Sequence, residues 1–178
     1  TIDASGAEIY NSILSIAPSS LDNKIIWVGT DDGWLHITRD GGVNWKNITP
    51  PEVTSWSKVS MIEASHYDNL TAYAAINRIR CDDLQPYILK TSDGGATWTR
   101  AGVNRPDGTT SGVAYVPGSN PAMFVAVGQT GIAYTKDFGA TWIHADTTTT
   151  YGAGLAGPSA GFFAGARGHV SVLAQTLR

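Results

Sequence analysis

The sequence predicts an all-β chain, a β-propeller of about four four-stranded antiparallel blades, on three observations. An eight-residue phrase is written three times: Thr38-Arg39-Asp40-Gly41-Gly42-Val43-Asn44-Trp45, Thr91-Ser92-Asp93-Gly94-Gly95-Ala96-Thr97-Trp98 and Thr135-Lys136-Asp137-Phe138-Gly139-Ala140-Thr141-Trp142. The repeat period is roughly 45 residues, the spacing of propellers and arrays. Apolar residues alternate with a period of two, and Gly, Pro and Thr interrupt nearly every stretch, which leaves no room for long helices.

Around each phrase the order of events is the same: a short apolar run, a turn, an alternating run, the phrase, and a final strand beginning at Trp. In the first unit, residues 13–17 read as strand A, 25–29 as B, 34–38 as C and 45–48 as D, with Asp31-Asp32-Gly33 turning from B to C. The second unit gives 58–63, 71–76, 87–91 and 98–100, and the third 112–116, 123–127, 132–135 and 142–144. The fourth is abbreviated to 151–156, 161–165 and 169–174, with no phrase and no fourth strand. The blades therefore span about 13–49, 58–101, 111–146 and 150–178 of a single domain, 1–178. Residues 1–12, and Ala7 to Tyr10 within them, are available as a closing outer strand.

The phrase has a mechanical reason. An Asp in a tight turn accepts hydrogen bonds from backbone N–H groups, and a Gly supplies the positive φ that reverses the chain. Thr38, Thr91 and Thr135 open these corners, Asp40, Asp93 and Asp137 accept, and Gly42, Gly95 and Gly139 turn. Trp45, Trp98 and Trp142 are then expected to bury their rings between neighbouring sheets, each contributing a few kcal/mol, on the order of 2–3.

Bulk properties exclude several functions. Lys+Arg number 12 against Asp+Glu 15, a formal net charge of -3, so no basic field exists to hold a phosphate backbone and no nucleic-acid partner is expected. No apolar run is long enough to span a bilayer, and the N-terminus shows no basic segment followed by a hydrophobic core. The first residue is Thr1, consistent with removal of a leader or a larger parent. Cys81 stands alone, which excludes an internal disulfide and a multi-cysteine metal site. The histidines His36, His66, His144 and His169 show no metal-ligand spacing, so neither metal nor cofactor is expected. Asn47-Ile48-Thr49 and Asn69-Leu70-Thr71 match the glycosylation acceptor pattern.

The three phrases resemble the Asp-box, or BNR repeat: Ser or Thr, any residue, Asp, any residue, Gly, any residue, Thr, then an aromatic. Asn44 replaces the usual Thr in the first copy and Phe138 the commoner Gly in the third. That family comprises β-propellers, among them sialidases, sortilin-type receptors, glucan hydrolases and photosystem assembly factors. Residues about 25–100, with Trp27-Val28-Gly29-Thr30-Asp31-Asp32-Gly33 and Pro86-Tyr87-Ile88-Leu89-Lys90-Thr91, resemble sortilin-type bacterial propellers. From about 110 onward, Val113-Ala114-Tyr115-Val116-Pro117-Gly118 and Phe163-Ala164-Gly165-Ala166-Arg167-Gly168 are more similar to photosystem-assembly-factor repeats. Drift, a fragment of a longer propeller and a recombined or engineered half-propeller all fit such a change of type. The resemblance implies an extracellular or periplasmic setting and rings of six or more blades. Four blades then read as half of a larger ring completed by a second chain, in preference to a small closed ring.

The resemblance also implies where a ligand sits, on the end made by the B to C and D to A connections, opposite the corners. Mapped here, that end collects Asp32, Trp34, Trp56, Arg78, Arg80, Asp82, Asp83, Arg105, Arg167 and His169. Two guanidiniums could grip a carboxylate or sugar acid, and the same loop reads equally as an internally neutralised surface. Trp34 and Trp56 could stack on a sugar or pack between blades. Adjacent aspartates on a strand point to opposite faces, so neither Asp31-Asp32 nor Asp82-Asp83 forms an acid and base pair across a glycosidic bond. A sialidase of this family needs three converging arginines with Tyr and Glu partners. The chain lacks the Arg-Ile-Pro phrase that marks the first of them, and its only glutamates are Glu8, Glu52 and Glu63. The leading reading is a non-catalytic binding or scaffold propeller, with a glycan or protein ligand, that forms a homodimer. A glycoside hydrolase fragment and an engineered half-propeller without selected activity are the alternatives.

Overall fold

A computed structural model describes residues 11–102, 110–119 and 123–173. Its strands fall into four antiparallel sheets. Blade 1 is β1 (Ile13–Pro18), β2 (Ile26–Thr30), β3 (Leu35–Thr38) and β4 (Lys46–Asn47); blade 2 is β5 (Lys58–Ala64), β6 (Ala72–Arg78), β7 (Asp83–Thr91) and β8 (Thr99–Arg100). Blade 3 is β9 (Thr110–Tyr115), β10 (Phe124–Gly128), β11 (Gly131–Thr135) and β12 (Ile143–Asp146). Blade 4 has β13 (Thr150–Gly157), β14 (Ala160–Gly165) and β15 (Val170–Val172). Each sheet runs in simple sequence order, which is the meander of a propeller blade.

The strands expected within the described residues are present, and the differences are local. The outer strands begin one residue after each Trp, because the indole leaves the corner before the chain straightens into pairing. The stretch after Asn77 is a hairpin rather than a free loop: a three-residue 3-10 turn, Ile79–Cys81, is followed after Asp82 by β7, whose Asp83 pairs with Arg78. The expected closing strand, Ala7 to Tyr10, lies outside the described residues.

The phrase builds the same network three times. Thr38 Oγ1 donates to Asp40 Oδ1 at 2.8 Å and accepts from Gly42 N at 2.9 Å, while Asp40 Oδ1 accepts from Asn44 N at 2.9 Å. Thr91, Asp93, Gly95 and Thr97 repeat it at 2.8, 2.9 and 2.9 Å, and Thr135, Asp137, Gly139 and Thr141 at 2.7, 3.0 and 2.8 Å. The substituted residues keep the pattern. Asn44 Nδ2 donates to Asp40 Oδ2 at 2.7 Å where Thr97 and Thr141 donate their hydroxyls at 2.6 Å. Phe138 takes φ 57°, the left-handed region that Gly41 and Gly94 occupy in the other corners.

Blades stack through these corners. One core lies between blades 1 and 2 (Trp27, Leu35, Ile37, Ile48 with Ala74, Ile76, Leu89 and Trp98), a second between blades 2 and 3 (Tyr73, Ala75, Ile88 with Val113, Phe124 and Trp142). A third core, around Val125, Val127, Ile132 and Phe163, lies between blades 3 and 4. Glycine lets the inner strands close up: a Cβ on Gly29 would stand 2.3 Å from Val59 Cγ1 of the next blade.

Trp45 departs from expectation. Trp98 and Trp142 are buried, at 9% and 3% exposure, whereas Trp45 is 45% exposed. Each buried indole lies against the preceding blade; among the described residues no blade precedes blade 1, and Trp45 donates its Nε1–H to Gly42 O at 3.1 Å. Strand packing runs from β1 to β5, β9 and β13 in turn; among the described residues no comparable contact returns from β13 to β1.

Candidate functional site

The two ends of the stack are distinct. On one, the corners meet the A to B turns: Gly41 N donates to Lys24 O at 3.0 Å and Gly94 N to Leu70 O at 2.8 Å. On the other, the B to C and D to A connections meet. Arg80 Nη1 donates to Asp31 O at 3.2 Å, Arg78 Nη2 to Thr54 Oγ1 at 3.3 Å, and Thr149 Oγ1 to Gln129 O at 2.8 Å.

At this second end, the 3-10 turn at Ile79–Cys81 and the long β7 create a knot of charge. Arg78 Nη1 lies 3.4 Å from Asp83 Oδ2 and 3.4 Å from the Tyr87 hydroxyl, which itself donates to Asp83 Oδ2 at 2.5 Å. The Tyr87 hydrogen bond, with the Gln85 N–H and the nearby guanidiniums behind it, holds the Asp83 carboxyl below its ordinary range against the upward push of desolvation. Arg78 and Arg100 lie over the Tyr87 ring, at 5.4 and 4.1 Å. Tyr87 is the residue that sequence reading missed here. Its only signal was its position four residues after Asp83 on an alternating strand.

The remaining candidates have separate environments. Asp31 is buried and its Oδ1 accepts from Asn11 N and Ser12 N at 2.9 and 2.8 Å, which makes it a brace for the start of β1. Asp32 accepts from the Thr30 hydroxyl within the B to C turn. Asp82 caps the 3-10 turn with φ 53°, and its side chain is exposed. Trp56 sits at φ 70° in the connection beside Thr54. Trp34 is 47% exposed and tilts against His36 at 6.3 Å, on blade 1. Arg167 and His169 are both exposed in the last B to C turn, on blade 4. Arg105 lies outside the described residues.

Among the described residues no group of three His, Cys, Asp or Glu could hold a metal ion, and no helix is long and apolar enough to cross a membrane. A shallow cleft of about 390 Å³ lies elsewhere, between the outer strand of blade 1 and the corner of blade 2. Asn47, Thr49, Pro50, Glu52, Thr97 and Trp98 help line it. On the corner end, His66 stacks on Tyr115 at 4.2 Å and lies 3.4 Å from Glu63, while Tyr67 and Tyr115 share a 2.9 Å hydroxyl contact. This second polar cluster clasps blade 2 to blade 3.

No family model matches the chain, and no curated protein matches it. Solved structures do. YCF48 bound to D1 peptide superposes with a TM-score of 0.68 at 19% identity, over 93% of this chain and 53% of that one. An ancestral GH74 enzyme gives 0.66 at 18% identity, over 92% and 23%. The computationally designed Ika4 protein gives 0.64 at 12% identity, over 98% and 96%. The chain is thus similar in fold to β-propellers, and it spans about half of the YCF48 chain and a quarter of the GH74 enzyme.

Proposed function

We propose that the chain is a non-catalytic Asp-box propeller module that binds a glycan or protein at the end carrying the B to C and D to A connections, and that a second copy completes its ring. The observation that carries self-association is the pair of blade faces, on blade 1 and blade 4, that have no neighbouring blade among the described residues. Ile13, Ile16, Phe162, Val170 and Val172 are each between 58% and 64% exposed, a concentration of apolar surface that marks an interaction face.

A binding role fits the chemistry of the knot better than hydrolysis does. A glycosidase acid needs a carboxyl raised by a poorly solvated pocket, and Asp83 is instead held low by Tyr87. The exposed Arg80, Asp82, Arg167 and His169 offer donors and acceptors to an extended ligand. A fold shared with a peptide-bound YCF48 and with GH74 enzymes is compatible with either ligand class, since one architecture hosts many functions.

Light scattering behind size exclusion tests the ring: the expected mass is twice the 18.8 kDa chain, and a stable single chain at dilution overturns it. A glycan array and a peptide array, each repeated with Arg80→Ala, test the ligand end. Turnover of aryl glycosides abolished by Asp82→Ala or Glu52→Ala would replace the binding reading with the hydrolase one.

A further inference from the structure

Resting on the reading that a second copy completes the ring, we infer that the two copies join head to tail through Trp34 and Trp45. The open face of blade 1 in one copy seats on the open face of blade 4 in the other.

Strand alternation identifies the two faces. In blade 1, Trp27 and Ile37 are paired and face blade 2, so the pair Val28 and His36 faces away. Ile16 pairs with Val28, and His36 with Asn47, which places Ile16, Trp34 and Trp45 on that outward face by alternation. In blade 4, Phe163 faces blade 3, so the paired Phe162 and Val172, and the paired Ala164 and Val170, face away. Gly152 and Gly154 lie on the same outward face, and a Cβ on either would meet nothing within 4 Å. Gly29 plays the matching part inside the chain, where the next blade occupies that space.

The internal joins supply the template for the occupant. At the join of blades 1 and 2, Trp98 is buried on Trp27, with ring centroids 6.3 Å apart at 79°. Its corner also leans on that blade: a Cβ on Gly95 would stand 2.6 Å from Ile48 Cδ1. At the join of blades 2 and 3, Trp142 is buried and Gly139 stands against Ala101 and Tyr73 in the same way. Trp45 sits in the same corner with an equivalent network and a half-exposed ring, so what it fits is the rear face of a blade of this kind. Blade 4 presents such a face, apolar and exposed at Phe162, Val170 and Val172, and a second copy brings it without any new partner.

The two faces differ from each other, so the contact is heterologous, and two copies close it by forming it twice. Trp34 thereby belongs to the join rather than to the ligand end. Aromatic anchors surrounded by smaller apolar side chains are the usual centres of such contacts.

The test uses Trp45→Glu and Phe162→Glu, sized by light scattering alone and as an equal mixture. Trp45 is half-exposed and Phe162 largely exposed in the single chain, at 45% and 63%, so the charges do not enter its own core, and far-ultraviolet dichroism verifies the fold. Each variant alone is expected to run as single chains. The mixture is expected to recover the two-chain species, because one of its two joins then pairs an unaltered Trp45 with an unaltered Phe162. Leu84→Glu, on β7 away from both faces, is expected to leave the pair intact. A mixture that stays single-chain, variants that remain paired on their own, or equal dissociation by Leu84→Glu each overturns the head-to-tail join. Unaltered protein running as single chains overturns the parent reading instead.

Discussion

Trp98 reaches from the second blade to the first, donating its indole N–H to Ile48 O at 2.8 Å across the join of the two blades. One side chain thus supplies both the ring that fills the join and the donor that satisfies a buried carbonyl. Trp98→Phe keeps most of the ring and strands the carbonyl, with an expected loss of about 1–3 kcal/mol. Trp98→Ala opens a cavity as well, with an expected loss of about 3–5 kcal/mol. Urea unfolding measures both, and equal losses would remove the hydrogen bond from the account.

Acid should loosen the corners. Asp40 and Asp93 are held at about 2 against an ordinary 3.8, Asp40 chiefly by the Asn44 backbone N–H and Asp93 chiefly by the Thr97 hydroxyl. In Asp137 desolvation pushes upward, but donors from Thr141 and Thr135 outweigh it and the carboxyl is also lowered. A carboxyl depressed by folding stabilises the fold above its unfolded value and loses that contribution as pH falls through its folded one. Urea midpoints should therefore decline from about pH 4 to about pH 2. Asp93→Asn should flatten that decline while lowering stability at pH 7. An unchanged slope would contradict the assignment.

Glu63 behaves in the opposite sense. Burial raises its carboxyl above the ordinary range, partly offset by the charge of His66 and by the Tyr115 backbone N–H. A carboxyl raised by folding favours the fold at pH below its unfolded value, and that contribution disappears as pH rises through the folded one. Glu63→Gln removes the buried charge and should raise stability at pH 7, with no gain at pH 4. A loss at both would show that the contact with His66 dominates.

Phe138 occupies left-handed backbone that costs an L side chain about 1–2 kcal/mol. Its ring returns part of this by lying 5.7 Å from Lys90 Nζ. The Tyr73 and Lys90 hydrogen bonds at this position go to the backbone carbonyl and survive replacement. Phe138→Gly should raise stability by about 0.5 kcal/mol once glycine's added chain entropy and the lost ring contact are counted. A clear loss in thermal unfolding would show the ring contact to be worth more than the strain.

The corners were legible because their chemistry is local: a hydroxyl, a carboxylate, a glycine and a closing polar residue within seven residues make their bonds almost wholly among themselves. Strand order was legible for the same reason, since alternation and turns repeat along the chain. The Arg78 knot was only half legible. The charges stood out in the sequence, but Tyr87 and Arg100 join them through pairing of β7 with its neighbours. The clasp of Glu63, His66, Tyr67 and Tyr115 gave no signal, because it joins the end of β5 and the turn after it to the end of β9 in the next blade.

By itself the sequence determined the blade, its four-strand order and its hydrogen-bonded corner, all products of contacts between near neighbours in the chain. Only the tertiary structure decided which indoles are buried. Trp45, Trp98 and Trp142 stand in equivalent phrases, and their fates differ because burial depends on whether another sheet lies in front of the ring. Stacking order is a property of the assembled blades, and among the described residues it gives the first face and the last face no neighbouring blade.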